Sequence, residues 1–89
     1  MTYKSVVVHD VDKLESFGKK LGTKKGELKK LTDQVTALCR EQERNWEDER
    51  YKTLSEKLES FAKSSIGLQK ELEDAEKYIS VLTRELHKL

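Results

Sequence analysis

Residues 40–50, Arg-Glu-Gln-Glu-Arg-Asn-Trp-Glu-Asp-Glu-Arg, decide the fold of this chain because they interrupt its hydrophobic pattern. Trp46 is the one apolar residue among them. On both sides of this segment, hydrophobic residues recur every three or four positions, which is the spacing of one face of an α-helix. The segment therefore separates two helices.

The first helix carries a hydrophobic stripe with a single polar interruption at Lys24. Its members are Leu14, Phe17, Leu21, Leu28, Leu31, Val35 and Leu38. Asp12 followed by Glu15 has the spacing of a capping box, and Asp10 is an equally suitable N-cap. We predict a first helix over residues 10–44.

The second helix carries a longer stripe, in which Ser65 alone departs from the apolar pattern. Its members are Tyr51, Leu54, Leu58, Phe61, Leu68, Leu72, Ala75, Ile79, Leu82, Leu86 and Leu89. We predict a second helix over residues 46–89, with an apolar face wide enough to contact more than one neighbouring helix.

A bend over residues 45–48 joins the two helices, although neither Pro nor Gly marks it. The two stripes are out of phase, and one continuous helix would turn them apart by about 100°. An antiparallel hairpin lets them face each other instead. Asn45 is a suitable N-cap for the second helix, and the acids that follow it favour the positive end of that helix.

The predicted fold class is all-α, an antiparallel two-helix hairpin that forms a single domain over residues 1–89. Residues 1–9 form an extended N-terminal arm that contains the short apolar run Val6 to Val8. A chain of 89 residues cannot enclose a large core with two helices. We therefore expect two hairpins to assemble into a dimeric four-helix bundle.

Composition favours a binding protein and not an enzyme. The 18 basic and 17 acidic residues nearly cancel, so overall charge does not call for nucleic acid or an anionic membrane. The lone Cys39 cannot form an intramolecular disulfide, and no Cys/His spacing predicts zinc. His9 and His87 lie far apart in sequence, and no catalytic signature is present. We predict no catalytic residue, metal or other cofactor.

No apolar run has the length of a signal-peptide core or of a membrane span. A cytoplasmic location is expected, or export that needs no cleaved signal peptide.

The bend resembles that of the WXG superfamily, the helical-hairpin proteins associated with type VII secretion. The similarity lies in Asn45, Trp46, Asp48 and Tyr51, and it is greatest to a subgroup with Trp-x-Asp at the bend. Asp48 stands where the defining family has Gly. The helix start Asp10-Val11-Asp12-Lys13-Leu14 also fits that subgroup. The Tyr-x-x-x-Asp/Glu export signal of part of the family is not matched, since Leu82 stands four residues after Tyr78.

This resemblance implies a secretion substrate, or a partner that escorts a larger, toxin-like secreted protein. The partner is expected to be the chain itself or a related helical hairpin. The residues predicted to form the partner interface are Leu54, Leu58, Phe61, Leu68, Leu72, Ile79 and Leu82. The alternative function is an intracellular coiled-coil adaptor or assembly factor with no connection to secretion.

Three further features have two interpretations each. Trp46 is either a recognition anchor or a clamp that holds the bend, and Asp48 is more simply a helix-start acid than a partner contact. The spacing of Gly18, Gly22 and Gly26 allows close helix approach, but we favour a weakened helix. A lysine-rich patch suits a solvated face better than nucleic-acid binding, and its members are Lys19, Lys20, Lys24, Lys25, Lys29 and Lys30.

Overall fold

The computed structural model describes residues 7–89, which form two antiparallel helices and no strand. Helix α1 spans Val11–Glu43 and helix α2 spans Glu49–His87. The described chain measures 62 × 20 × 15 Å, so the hairpin is long and thin. The predicted all-α hairpin is confirmed. Of the proposed apolar arm, Val6 lies outside the described residues, and the two valines after it are in no regular structure.

Asp10 is the N-cap of α1. Its backbone is extended, and its carboxylate accepts a hydrogen bond from the backbone N–H of Lys13 at 3.0 Å. Asp12 lies inside the first turn, where its charge favours the positive end of the helix dipole. Of the two starts that the sequence allowed, the earlier one is used.

Asp48, and not Asn45, is the N-cap of α2, so the predicted cap was wrong. The Asp48 carboxylate accepts from the N–H of Arg50 at 2.8 Å and of Tyr51 at 3.2 Å. Asn45 belongs to the end of α1 instead. Its N–H donates to the carbonyl of Gln42 at 2.9 Å, and its side-chain amide donates to the Gln42 side chain. The chain must complete this turn before a new helix can begin.

The contact line between the helices, called the seam below, holds small and polar side chains at its centre. Among the described residues, those that are buried are Gly18, Thr32, Ser65, Ile79 and Thr83. Ile79 is the one large hydrophobic residue in this set. Two contacts fix the register, since Gly18 lies against Ile79, and Thr32 hydrogen-bonds to Ser65 at 2.5 Å between their side-chain oxygens.

The glycines on α1 differ in what surrounds them. A Cβ at Gly18 would lie 2.8 Å from Cγ2 of Ile79, and a Cβ at Gly22 would collide with the Glu76 carboxylate. Gly26 has nothing within 4 Å of the same position. Gly18 therefore allows α2 to approach closely, whereas at Gly22 the end of the flexible Glu76 side chain alone would have to move. The preferred interpretation of all three as a weakened segment was wrong for Gly18, and it stays a prediction for Gly22 and Gly26.

Candidate interaction surface

Six large hydrophobic side chains stand exposed along one side of the hairpin, and we call this set the apolar face. Its members, with exposed fractions from 37% to 60%, are Phe17, Leu31, Leu38, Leu54, Phe61 and Leu68. The half-buried Leu14, Leu21, Leu28 and Val35 lie between the α1 members and the seam. The apolar face therefore continues the interior of the hairpin outward.

Helical geometry explains why these side chains are left uncovered. On α1 the seam is centred on positions seven residues apart, namely Gly18, Lys25, Thr32 and Cys39. The hydrophobic stripe of α1 consists of two rows. The half-buried row of Leu14, Leu21, Leu28 and Val35 is rotated from the seam centre by about 50°, and the exposed row of Phe17, Leu31 and Leu38 by about 100°. The seam thus takes in one edge of the stripe and leaves the other edge exposed.

The stripe of α2 is offset in the matching sense. Its seam row contains Leu58, Ser65, Leu72 and Ile79, and its outer row contains the three exposed residues of the apolar face on α2. Viewed down the long axis of the hairpin, the two antiparallel helices wind in opposite directions. The same offset from the seam on each helix therefore brings both outer rows to the same side of the hairpin. One continuous apolar face results.

The residues predicted to form the partner interface fall into three groups. Leu54, Phe61 and Leu68 are exposed on the apolar face. Leu58 and Leu72 are half-buried in the seam row, and Leu82 is half-buried beside it. Ile79 is buried against Gly18 within the hairpin.

Sequence reasoning missed the α1 side of this surface. The first stripe contains Phe17, Leu31 and Leu38, but it was expected to be covered by α2. The sequence does contain a sign of this exposed row. A small or polar residue that can lie at the seam directly follows its members, such as Gly18 after Phe17 and Thr32 after Leu31.

The bend is held by contacts of its own residues. The rings of Trp46 and Tyr51 lie 5.6 Å apart between centroids, tilted by 57°. The Tyr51 hydroxyl donates to the backbone carbonyl of Cys39 at 2.9 Å, which ties the start of α2 to the last turns of α1. Trp46 is half-buried and packs against Tyr51, the contact that a clamp requires, and its role as a recognition anchor stays a prediction.

The Trp-x-Asp pair has a direct electrostatic relation. The indole N–H of Trp46 beside Asp48 is the largest cause of the lowered pKa of that carboxyl, and the backbone N–H groups of Tyr51 and Arg50 lower it further. Each of these donors favours the charged form of the carboxylate. The acid thus caps α2 in its charged form.

A cluster of charged residues joins the two helices between their midpoints and the chain termini. Lys25 of α1 lies 2.7 Å from the carboxylate of Glu73 on α2, and Lys77 lies 3.0 Å from the other oxygen of the same carboxylate. Hydrogen bonds from Lys25 and Lys77 lower the pKa of Glu73 from 4.5 to about 2. Both members of the pair between helices are about one-third exposed, so water screens their attraction.

The lysine-rich patch is largely matched by acids of the chain itself. Lys19, Lys24 and Lys29 each lie within 4.0 Å of an acid one turn away on α1, and Lys25 reaches across to α2. This arrangement corresponds to a solvated helix face with one lysine opposite the acids of a neighbouring helix.

A shallow groove of about 680 Å³ lies on the polar side of the hairpin, near the chain termini. Glu15, Glu76, Thr83 and His87 are among its lining residues, and Nε2 of His87 lies 3.5 Å from Glu15. Within residues 7–89, no group of three or more His, Cys, Asp or Glu side chains is arranged to hold a metal ion.

The chain was compared with protein-family models, with curated proteins and with solved structures, and none of them matches it. Neither described helix combines the length and the apolar character needed to cross a bilayer. The surface itself is therefore the basis for inferring function.

Proposed function

We propose that this chain is a protein–protein interaction module whose apolar face packs against a second helical hairpin to form a four-helix bundle. One observation carries this proposal. Within residues 7–89, eleven large hydrophobic residues are exposed, whereas Ile79 is the one that is buried. A hairpin with so small an interior gains most of its hydrophobic stabilisation when a partner covers its exposed side.

The size of the effect supports the same proposal. Full burial of a Leu or Phe side chain contributes about 1.5–3 kcal/mol, and the apolar face holds six such side chains that are at present half-exposed. Two added helices would cover these residues at the spacing typical of four-helix bundles. Leu38 and Phe17, exposed by 60% and 53%, have most to gain among them, followed by Leu31 and Leu68 at 51% each.

Within this proposal, the chain acts as a WXG-like secretion substrate, or as the partner that escorts a larger secreted protein. The support is the resemblance of the bend, Trp46-Glu47-Asp48, and the hairpin shape. The alternative is an assembly factor that acts inside the cell through the same surface. The genes beside its own distinguish the two, since a type VII secretion ATPase or a large toxin gene favours the first.

The proposal is tested by light scattering of the purified chain, alone and mixed with the small helical proteins encoded beside its gene. We expect a stable complex in at least one of these samples. The substitutions Leu38→Ser and Leu68→Ser should dissociate it, because each puts a polar group into the new interface. Circular dichroism of each variant checks that the hairpin still folds.

The matched control is Ile66→Ser. Ile66 is 64% exposed, more than Leu68 at 51%, but helical spacing from the seam residue Ser65 places it on the polar side of the hairpin. The complex should survive this change. A folded chain that remains a monomer in every mixture, or a complex indifferent to Leu38→Ser and Leu68→Ser, would contradict the proposed function.

A further inference from the structure

We propose that the groove on the polar side of the hairpin is a separate binding site for a short, extended peptide segment with one basic and one acidic side chain three or four residues apart. This inference goes beyond the proposed function and does not depend on it, because the groove and the apolar face lie on opposite sides of the hairpin. It rests on the closed ends of the groove and on two charges in its lining.

Side chains that cross between the helices close the groove at both ends. At the end nearer mid-length, the carboxylate of Glu76 lies against Gly22 of α1, where a Cβ would collide with it. At the end nearer the chain termini, Nε2 of His87 lies 3.5 Å from a carboxylate oxygen of Glu15. The two crossings are about 16 Å apart along α2. The groove is therefore a short cleft with defined ends.

Small residues keep the floor of the groove low. Gly18 meets Ile79 there, and Ser80 and Thr83 continue the lining of the groove on α2. The hydroxyl of Thr83 already donates to the backbone carbonyl of Ser80 at 3.1 Å. Selective recognition of a ligand therefore depends on the charged side chains around this floor.

Glu76 and Arg84 differ from the other charged residues of the lining. Among residues 7–89, neither of them has an ion-pair partner within 4.0 Å. The lining residues that do have such a partner are Glu15, Lys19, Lys77, His87 and Lys88. One acid and one base of the groove are thus left for a ligand, which would present a base to Glu76 and an acid to Arg84.

The separation of these two charges sets the spacing of the ligand charges. Glu76 and Arg84 are eight positions apart on α2, which is about 12 Å along the helix. An extended peptide advances about 3.3–3.6 Å per residue, so three or four residues cover that distance. The groove volume of about 680 Å³ is in the range of sites that bind ligands of this size.

A third helix fits this groove less well than an extended segment. A helix about 10 Å wide and as long as the groove occupies roughly twice its volume, so about half of the helix would stand outside. A helix would also need its base and its acid eight residues apart, because it rises as α2 does. The charge spacing of the ligand therefore distinguishes the two occupants.

Nuclear magnetic resonance titration of the full ¹⁵N-labelled chain tests the site. The probe is a short peptide of Ala and Ser residues with Lys and Asp four positions apart, acetylated and amidated so that its termini carry no charge. We expect amide shifts at Gly18, Gly22, Ser80 and Thr83. Control peptides that carry only Lys, only Asp, or Lys and Asp eight positions apart should bind at least fivefold more weakly.

Charge variants test the two assigned contacts. Glu76→Gln and Arg84→Gln should each weaken binding of the probe about fivefold. Arg84→Glu should reverse the preference, so that a peptide with two Lys residues binds better than the probe. Lys70→Glu is the matched control, because it changes the net charge equally at an exposed position of α2 outside the groove and should not reverse the preference. Circular dichroism checks that each variant folds.

Four results would each overturn this inference. They are no shifts with the probe, shifts on the apolar face in place of the groove, equal binding of the single-charge peptides, and equal effects of Arg84→Glu and Lys70→Glu. Tighter binding of the peptide with charges eight positions apart would overturn the extended ligand. Failure of the proposed function is told apart, because Leu38→Ser and Leu68→Ser should leave binding of the probe unchanged.

Discussion

The terminal half of the hairpin, residues 11–32 and 65–87, differs sharply from the bend half, residues 33–64. All five buried residues lie in the terminal half, and none lies in the bend half. In the terminal half, Gly18 brings α2 close enough for Ile79 to be covered. In the bend half, caps and hydrogen bonds hold the chain, and Leu38, Leu54 and Phe61 stay exposed.

This difference shows that a two-helix seam is filled either by close backbone approach or by large side chains, but not easily by both. Where Gly18 occupies the seam, α2 comes close enough to cover Ile79. In the bend half, larger residues flank the seam, and the apolar side chains of Leu38, Leu54 and Phe61 stay exposed on one side of the hairpin. The close packing that stabilises the hairpin is therefore confined to the terminal half, whereas the apolar face runs along both halves, with Phe17, Leu31 and Leu68 exposed in the terminal half.

The largest effect is expected from breaking the close approach in the terminal half. Gly18→Leu forces a side chain into the space of Ile79, so the free energy of unfolding should fall by about 1–3 kcal/mol. Gly26→Leu, at a position with open space, should leave stability unchanged or raise it by up to about 1 kcal/mol. Urea denaturation followed by circular dichroism, at one fixed protein concentration, measures both. Equal effects of the two variants would refute the close approach at Gly18.

A somewhat smaller loss is expected at the boundary between the halves. Ser65→Ala removes the hydroxyl that hydrogen-bonds to the Thr32 hydroxyl and that accepts from the Gln69 side-chain amide at 3.2 Å. We expect a loss of about 1–2 kcal/mol in the free energy of unfolding, because buried polar groups lose their partners. Ser64→Ala, at the exposed neighbouring position, is the control and should change stability little. No loss in Ser65→Ala would mean that this contact does not stabilise the seam.

A modest effect is expected at the bend. Asp48→Ala removes the acceptor for two backbone N–H groups at the start of α2, and the Tm should fall by about 4 °C. Asn45→Ala should have less effect, because its side chain contacts only that of Gln42 within α1. Thermal melts of the two variants compare them. A larger loss in Asn45→Ala would restore Asn45 as the cap.

The smallest effect concerns pH and the charged cluster of the terminal half. The pKa of Glu73 is lower in the folded chain than its ordinary value of 4.5, so the folded state binds this proton less readily than the unfolded state. Its stabilising contribution is therefore complete above 4.5 and is lost as pH falls towards about 2.

Glu73→Gln should flatten the decrease in Tm over that pH interval. Glu59→Gln, which removes a carboxylate paired only along its own helix, serves as the control. An unchanged pH profile in Glu73→Gln would show that the contact with Lys25 does not contribute to folding.

The two helices were predictable because apolar residues at helical spacing leave few alternatives over such long segments. The bend was predictable from the loss of that spacing in residues 40–50. The N-cap of α2 was not predictable, because Asn45 and Asp48 are both good N-caps. The choice depends on the last turn of α1, in which the N–H groups of Asn45 and Trp46 donate to the carbonyl of Gln42.

The rotation of the seam away from the stripes could not be read from the stripes alone. A stripe marks where burial is favourable, but the distance of closest approach is decided by the smallest residues nearby. Gly18 offers that approach, whereas Phe17 and Leu31 would hold the helices apart. Ser65 was taken as a departure from the pattern, yet it lies at the centre of the seam because Thr32 supplies its hydrogen bond.

The Thr32–Ser65 hydrogen bond also determines how freely the connection between the helices can vary. Sliding α2 by seven residues would set Thr32 against Leu58 or Leu72, and its hydroxyl would lose this partner. Alignment of the helices is thus secured at mid-length and not by the loop. The bend should then tolerate added residues, a fused tag or even a whole inserted domain, with the rest of the hairpin unchanged.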